Sequence, residues 1–236
     1  MKTLFHPASG RGHANHGWLN AHHSFSFANW YDPQKIHFGM LRVLNDDEIA
    51  AGMGFGTHPH DNMEIVTIPL EGMVMHKDSM GNSGIIKAGD VQVMSAGTGV
   101  HHSEFNGSKT DLLRLLQIWV FPKVDNVTPR YEQVSYEELA KQNEFQVLVS
   151  PKDEGGAVWV HQDCFFNIGR FDTGQSLNYT IKKPGNGAYV FLIDGEAQVA
   201  GQALQRRDVV GVTEAADFAI ETSQASRILI IEVPMR

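Results

Sequence analysis

Apolar positions along the chain come in short runs rich in Val, Ile, Phe and Thr, separated by Gly and Pro. Met63–Pro69, Gly72–His76, Val91–Met94, Leu113–Val120, Phe145–Val149, Ala188–Ile193 and Ile228–Val233 are such runs. Runs this short, bounded by turn formers at close spacing, predict strands and argue against βαβ units. The expected fold class is therefore all-β, a sandwich or barrel. One segment departs from the pattern. Ser135–Gln142 (SYEELAKQ) has a candidate N-cap in Ser135 and an acidic residue, Glu138, three positions on, which predicts a short helix.

The pattern also repeats. Ile68-Pro69-Leu70-Glu71-Gly72-Met73-Val74 resembles Phe191-Leu192-Ile193-Asp194-Gly195-Glu196-Ala197: in both, a β-run ends in an acidic residue and glycine, and another β-run follows. Ala88-Gly89-Asp90-Val91 matches Arg206-Arg207-Asp208-Val209 through its Asp-Val alone. The first copy is longer, as if it carried an extra hairpin turning at Asp78–Asn82. Two related domains are expected: residues 1–140, and residues 141–236, with the linker near Pro122–Pro129 and residues 130–145 crossing between the halves.

Two same-face pairs stand out against this background. Residues two apart in a strand point the same way, so Gly56-Thr57-His58-Pro59-His60 aims two imidazoles in one direction. His102-Ser103-Glu104 likewise aims an imidazole and a carboxylate together. His101 lies on the opposite face from its neighbour His102 and is expected outside the ligand set. Glu64, an even four residues after His60, offers a second carboxylate, so either Glu64 or Glu104 would complete three nitrogens with one oxygen. Pro59 cannot donate a ladder hydrogen bond, which places its strand at an edge. Such a donor set suits Fe, Mn, Co, Ni, Cu or Zn better than Mg or Ca. Met53, Phe55, Met63, Met94 and Phe105 are candidates for an apolar pocket beside it. The second copy has no histidine between residues 178 and 190 and no His-x-Glu after Asp208, so no second metal is expected there. His13 and His16, bracketed by glycines, read as turn or surface residues.

Composition narrows the function classes. The 236 residues are 42% apolar and carry a formal net charge of −8. With no basic run, contact with nucleic-acid phosphates is not expected, and the acidic balance argues against anionic membranes. A single cysteine, Cys164, excludes an intramolecular disulfide and fits a reducing compartment. Residues 1–10 lack the apolar core of a signal peptide, and the longest apolar runs are too short to span a bilayer. A cytoplasmic location is the expectation.

The motifs resemble those of a known family. Gly52-x5-His58-x-His60-x3-Glu64-x7-Gly72 is close to the first cupin motif, and Gly89-x5-Ser95-x-Gly97 running on to His102-x3-Asn106 resembles the second. Ser95 stands where a proline is usual, one extra residue precedes Gly72, and two extra residues separate Gly97 from His102. Arg11–Trp18, Phe25–Asn29, Leu41–Asp47 and Ser95–Gly99 are similar to the pirin family, in particular its bacterial members. The likeness is strong over residues 5–150 and one of arrangement beyond. It implies a bicupin, two β-barrels (double-stranded β-helices), with one metal, usually Fe(II), in the N-terminal barrel. The ligands it implies are His58, His60, His102 and Glu104, with Glu64 left out. Some members resemble quercetinases, which open a flavonol ring with dioxygen and release carbon monoxide; others are nuclear regulators that bind transcription factors. The reading it favours is a quercetin 2,3-dioxygenase-like enzyme acting on a flavonol-type substrate and O2. In it Glu104 doubles as catalytic base, and the C-terminal barrel covers the site. The rival is a metal-dependent redox-sensing module that binds a protein partner without turnover.

Overall fold

The computed structural model describes all 236 residues and is built from strands, with one short 3-10 turn at Ala8–Gly10. None of its helices is long and apolar enough to cross a membrane. The strands form four sheets. In the first half a seven-stranded sheet runs in the order Arg130–Ser135, Asp90–Ser95, Glu64–Glu71, Leu113–Val120, Leu41–Ile49, Leu19–His23, Gly12–Asn15. It faces a four-stranded sheet ordered Gly54–His60, Val100–Asn106, Met73–Asp78, Ser83–Lys87. The second half has the same number of strands in each sheet, though its last strand pairs parallel where that of the first pairs antiparallel. Its seven-stranded sheet is Lys2–His6, Val209–Thr213, Asn186–Asp194, Ser226–Pro234, Phe165–Phe171, Phe145–Pro151, Val158–Val160. Its four-stranded sheet is Ser176–Thr180, Asp217–Thr222, Glu196–Val199, Gln202–Gln205. Each half is thus a stacked pair of sheets of jelly-roll type. The second half has the corresponding hairpin too, made short by a tight turn at Ala200-Gly201, so the first copy's extra length is a longer hairpin.

Matching turns support the duplication at the level of backbone chemistry. Gly72 and Gly195 both have positive φ, 80° and 94°, and a Cβ on Gly195 would lie 2.3 Å from the Ala225 carbonyl oxygen. That turn requires glycine. At the looser match, Gly89 and Arg207 both take positive φ, 92° and 69°. Behind them Asp90 and Asp208 each accept a backbone N–H three residues upstream, from Lys87 at 3.1 Å and Gln205 at 2.9 Å.

One strand crosses between the halves. Arg130–Ser135 stays with the first half, pairing with Asp90–Ser95. Lys2–His6 lies at the start of the first half in sequence yet pairs with Val209–Thr213 of the second. The seven-stranded sheets also pack face to face, and the largest apolar cluster, 27 buried residues, lies between them. Val66, Ile68, Leu116 and Ile118 enter it from one side, and Phe166, Phe191, Leu229 and Ile231 from the other. Burying each such side chain contributes about 1.5–3 kcal/mol. At one border of this core Asp46 accepts from Arg11 at 3.1 Å and forms an ion pair with Arg207 at 2.9 Å, and both guanidinium groups lie over Phe191.

Two expectations are corrected. Ser135–Gln142 is not a helix: the strand runs through Ser135, and only Glu137–Leu139 turns. Tyr136 is buried and its N–H bonds the Gly89 carbonyl, so the segment is held to the neighbouring hairpin. The capping pattern then has room for one turn, closed by Ala140 N–H on Tyr136 O. The run Met63–Pro69 also forms its strand over Glu64–Glu71, beyond Pro69. Pro69, which has no N–H to give, sits where the register with Leu113–Val120 shifts.

Asp46→Ala should leave two buried guanidinium groups without their shared partner and cost about 3–5 kcal/mol in chemical denaturation. A loss below about 1 kcal/mol would mean that this ion cluster does not secure the joint.

Candidate metal centre

Gly54–His60 and Val100–Asn106 pair antiparallel with His102 directly opposite His58. The register then shifts between His102 and Glu104, so that Glu104 faces Phe55. A bulge here re-aims the side chains of the edge strand. On the other side of Val100–Asn106, His102 faces Asp78 and Glu104 faces His76. Strand alternation turns His102, Glu104 and Asn106 inward, all buried, and leaves His101 exposed.

The three imidazoles of His58, His60 and His102 bring one nitrogen each within 4.8 Å of one another. Nε2 of His60 and Nε2 of His102 are 3.0 Å apart. Two imidazole nitrogens each about 2.1 Å from one ion, at a right angle, have a separation of about 3 Å. Nδ1 of His58 meets the Gly56 carbonyl at 2.8 Å. A carbonyl only accepts, so Nδ1 carries the proton and Nε2 keeps its lone pair for a metal. Nδ1 of His102 is buried without a partner. Burial, with His58 adding to it, lowers the pKa of His60 to about 4 and that of His102 to about 2. Both rings therefore stay neutral with lone pairs available. These observations fit a divalent transition metal.

The Glu104 carboxylate is enclosed. Thr67 donates to Oε1 at 3.2 Å and Gln117 to Oε2 at 2.7 Å. Burial raises its pKa to about 7 against those two hydrogen bonds. With His76 and His102 it forms a second group whose ligand atoms lie within 4.8 Å. His76 was not anticipated. Its Nε2–H donates to Asp78 at 3.3 Å, leaving Nδ1 buried and unpartnered. Its signal in the sequence is only its parity with Asp78, which shares its face. Glu64 lies elsewhere. It follows a turn through Asn62 at positive φ (42°), which breaks the even count from His60. Its carboxylate accepts from Ser95 at 2.7 Å, and the strand face it shares with Val66 and Ile68 meets the other half.

A cavity of about 420 Å³ opens beside His58, His60 and Glu104. Its aromatic walls are Trp18, Phe27, Phe55 and Trp119. Trp119 stands edge-on to His60 at 4.9 Å, and Phe27 to Trp119 at 5.4 Å. Of the five expected pocket residues only Phe55 lines it. Met63 and Met94 fill a small cluster with Ile65, Ala96 and Val100, and Met53 is exposed. All lining residues fall between Trp18 and Trp119. The C-terminal half packs on the far face of the seven-stranded sheet, so, contrary to expectation, it does not cover the site. The second half supplies no equivalent. Where the first turns His102, Glu104 and Asn106 inward, the corresponding strand turns in Phe218, Ile220 and Thr222.

Two stacked jelly rolls with one His/Glu group in the first define the scaffold of a two-domain cupin. Residues 5–120 match the family model described as Pirin, and residues 147–233 the one described as Quercetinase C-terminal cupin domain. The chain belongs to the pirin family. It is 41% identical to a protein of Escherichia coli K12 named quercetin 2,3-dioxygenase, over 96% of both chains. It is also similar to the crystal structure of the bacterial pirin YhhW of Escherichia coli in complex with nickel(II), with TM-score 0.93, 39% identity and 99% of each chain covered. A quercetin 2,3-dioxygenase structure from Acinetobacter baumannii shares the fold at TM-score 0.80 and 24% identity, covering 99% of this chain and 86% of that one.

Gln117→Leu removes the shorter hydrogen bond to the enclosed Glu104 carboxylate. In metal-free protein it should cost about 1–3 kcal/mol in urea denaturation; no loss would show that Glu104 does not depend on Gln117.

Proposed function

We propose that the chain is a metal-dependent dioxygenase resembling quercetin 2,3-dioxygenase, cleaving a flavonol-type substrate with O2. The observation that carries this reading is the group of three imidazoles, His58, His60 and His102, beside an aromatic-lined cavity that His58, His60 and the Glu104 carboxylate face. At about 420 Å³ the cavity falls within the range of organic-ligand pockets. The relatives named quercetin 2,3-dioxygenase support it. A larger depression of about 950 Å³, between Asp163 and the C-terminus, is open and has no histidine lining it.

His58, His60, His102 and Glu104 would hold the metal, Fe(II) in the first instance; the nickel complex of YhhW makes other divalent ions reasonable competitors. When bound, such a metal supplies Lewis-acid polarisation of a substrate oxygen and redox chemistry with dioxygen. The protein's own residues do the rest. Trp18, Phe27, Phe55 and Trp119 hold a flat ring system and keep water from it. Gln117 and Thr67 fix the Glu104 carboxylate, and one of its oxygens takes the proton of the substrate hydroxyl. Trp119 holds the His60 ring in place, and its buried, unpartnered Nε1–H is available to the ligand.

Metal analysis should find close to one equivalent per chain. His60→Ala should weaken metal binding at least as much as the ~10–100-fold usual for outer-shell changes. A full equivalent surviving in a His58→Ala, His60→Ala double variant would refute the site.

Protein loaded with iron, manganese, cobalt, nickel or copper should consume oxygen when given quercetin. Glu104→Gln should retain some metal yet lose turnover by about 10²–10⁴-fold. If no loaded form takes up oxygen, the dioxygenase reading is rejected and a binding or sensing role replaces it.

A further inference from the structure

Asp46 and Asp47 are adjacent and point to opposite faces of one strand, with opposite fates. Asp46 is paired with two arginines at the joint between the halves. Asp47 turns inward, is 4% exposed, and lines the aromatic cavity. Its Oδ1 is buried with no hydrogen-bond partner. Two residues back on the same face, Asn45 accepts from Nδ1 of His23 at 2.8 Å, and both are buried in the same wall. The registers place Asn45 beside Gln117 and Asp47 beside Leu115. Moving away from His60 and Trp119, the wall thus passes Gln117 and Asn45 before reaching Asp47.

An unpartnered buried carboxyl is costly, and apolar side chains close the equivalent interior of the second half. Within this cavity, such a group fits a ligand that brings its own donor. We infer that Asp47 is a specificity-determining residue: its carboxyl hydrogen-bonds a ring hydroxyl on the side of the ligand remote from the His58–His60–His102 group, with Asn45 and His23 backing it. The inference rests on the proposed flavonol reading and deepens it. The ligand it selects is a polyhydroxylated flavonol, over one with only the oxygens that meet the metal. Burial, with Asp46 and Glu104 adding to it, raises the Asp47 carboxyl to about 8, so near neutral pH it is a neutral acid that can accept from or donate to a hydroxyl. A site built to bind a hydroxyl discriminates strongly against the analogue lacking it.

The test uses metal-loaded protein under anaerobic conditions, so that binding is read without turnover through quenching of Trp18 and Trp119. The probes are quercetin and 3-hydroxyflavone, which keeps the metal-facing oxygens and lacks every remote hydroxyl. Wild-type protein should bind quercetin at least about tenfold more tightly. In Asp47→Ala that ratio should fall to near one through loss of quercetin affinity, with 3-hydroxyflavone unchanged. Asp47→Asn, which keeps shape and some bonding capacity, should fall between. Because it removes an unpaired buried acid, it should also unfold at a higher temperature than wild type in the absence of ligand. A wild-type ratio near one, a ratio unchanged in Asp47→Ala, or equal weakening of both probes overturns the inference. Tight, selective binding without oxygen uptake would leave Asp47 in its role and defeat the dioxygenase reading. Oxygen uptake with no effect of Asp47 would do the reverse. Failure of both flavonols to bind would defeat both.

Discussion

The central strands of the first seven-stranded sheet, Glu64–Glu71, Leu113–Val120 and Leu41–Ile49, are covered on both sides over most of their length, and this double burial governs what each of their residues can do. In Glu64–Glu71, Val66 and Ile68 go to the core between the halves, while Ile65 and Thr67 go to the interior of the first. In Leu113–Val120, Leu116 and Ile118 join the shared core, and Gln117 and Trp119 line the cavity with His58, His60 and Glu104. A one-residue slip would exchange these sets, pushing Gln117 and Trp119 into an apolar joint and Leu116 and Ile118 into the cavity. The apolar joint thus locks the register that aims the polar residues. The crossing of Lys2–His6 into the sheet of the second half ties the two halves together at that edge.

The polar site has a structural cost visible in the core. The interior of the second half is one cluster of 14 buried apolar residues, whereas that of the first is split into clusters of seven and four. His76, His102 and Glu104 occupy the division. Removing the apolar contacts forfeits burial energy, and neutral imidazoles beside an enclosed carboxylate do not replace it without a metal. The joint offsets this with the largest cluster of the molecule. A duplicated scaffold with one apolar copy can therefore carry a costly site in the other.

Local signals in the sequence identified the strands well, because each is a short apolar run between turn formers, and Leu113–Val120 matches to the residue. The pairs His58/His60 and His102/Glu104 were legible for the same reason: their geometry depends only on spacing within one strand. What required pairing between strands was not legible. Thr67, His76, Gln117 and the His23–Asn45–Asp47 wall reach the site from strands distant in sequence, and no spacing rule brings them together. Glu64 shows the limit of parity, since a turn at Asn62 resets the count. Ser135–Gln142 shows the limit of local capping signals. Its helix pattern is genuine, but Tyr136 buries against the sheet and a strand wins the first half of the segment.

The placement of the second half follows from the same geometry. Because it packs on the outer face of the sheet whose inner face bears the cavity, it has no residue among those that line the pocket. Its connection to the cavity wall runs through strands such as Leu41–Ile49. There Asp46 anchors in the joint by two guanidinium groups while Asp47, one peptide along, looks into the cavity. Adjacent residues on a doubly buried strand thus link stability to recognition. Fixing Asp46 against Arg11 and Arg207 also fixes the direction of the Asp47 carboxyl, an arrangement that a loop-borne carboxylate could hold only with partners of its own.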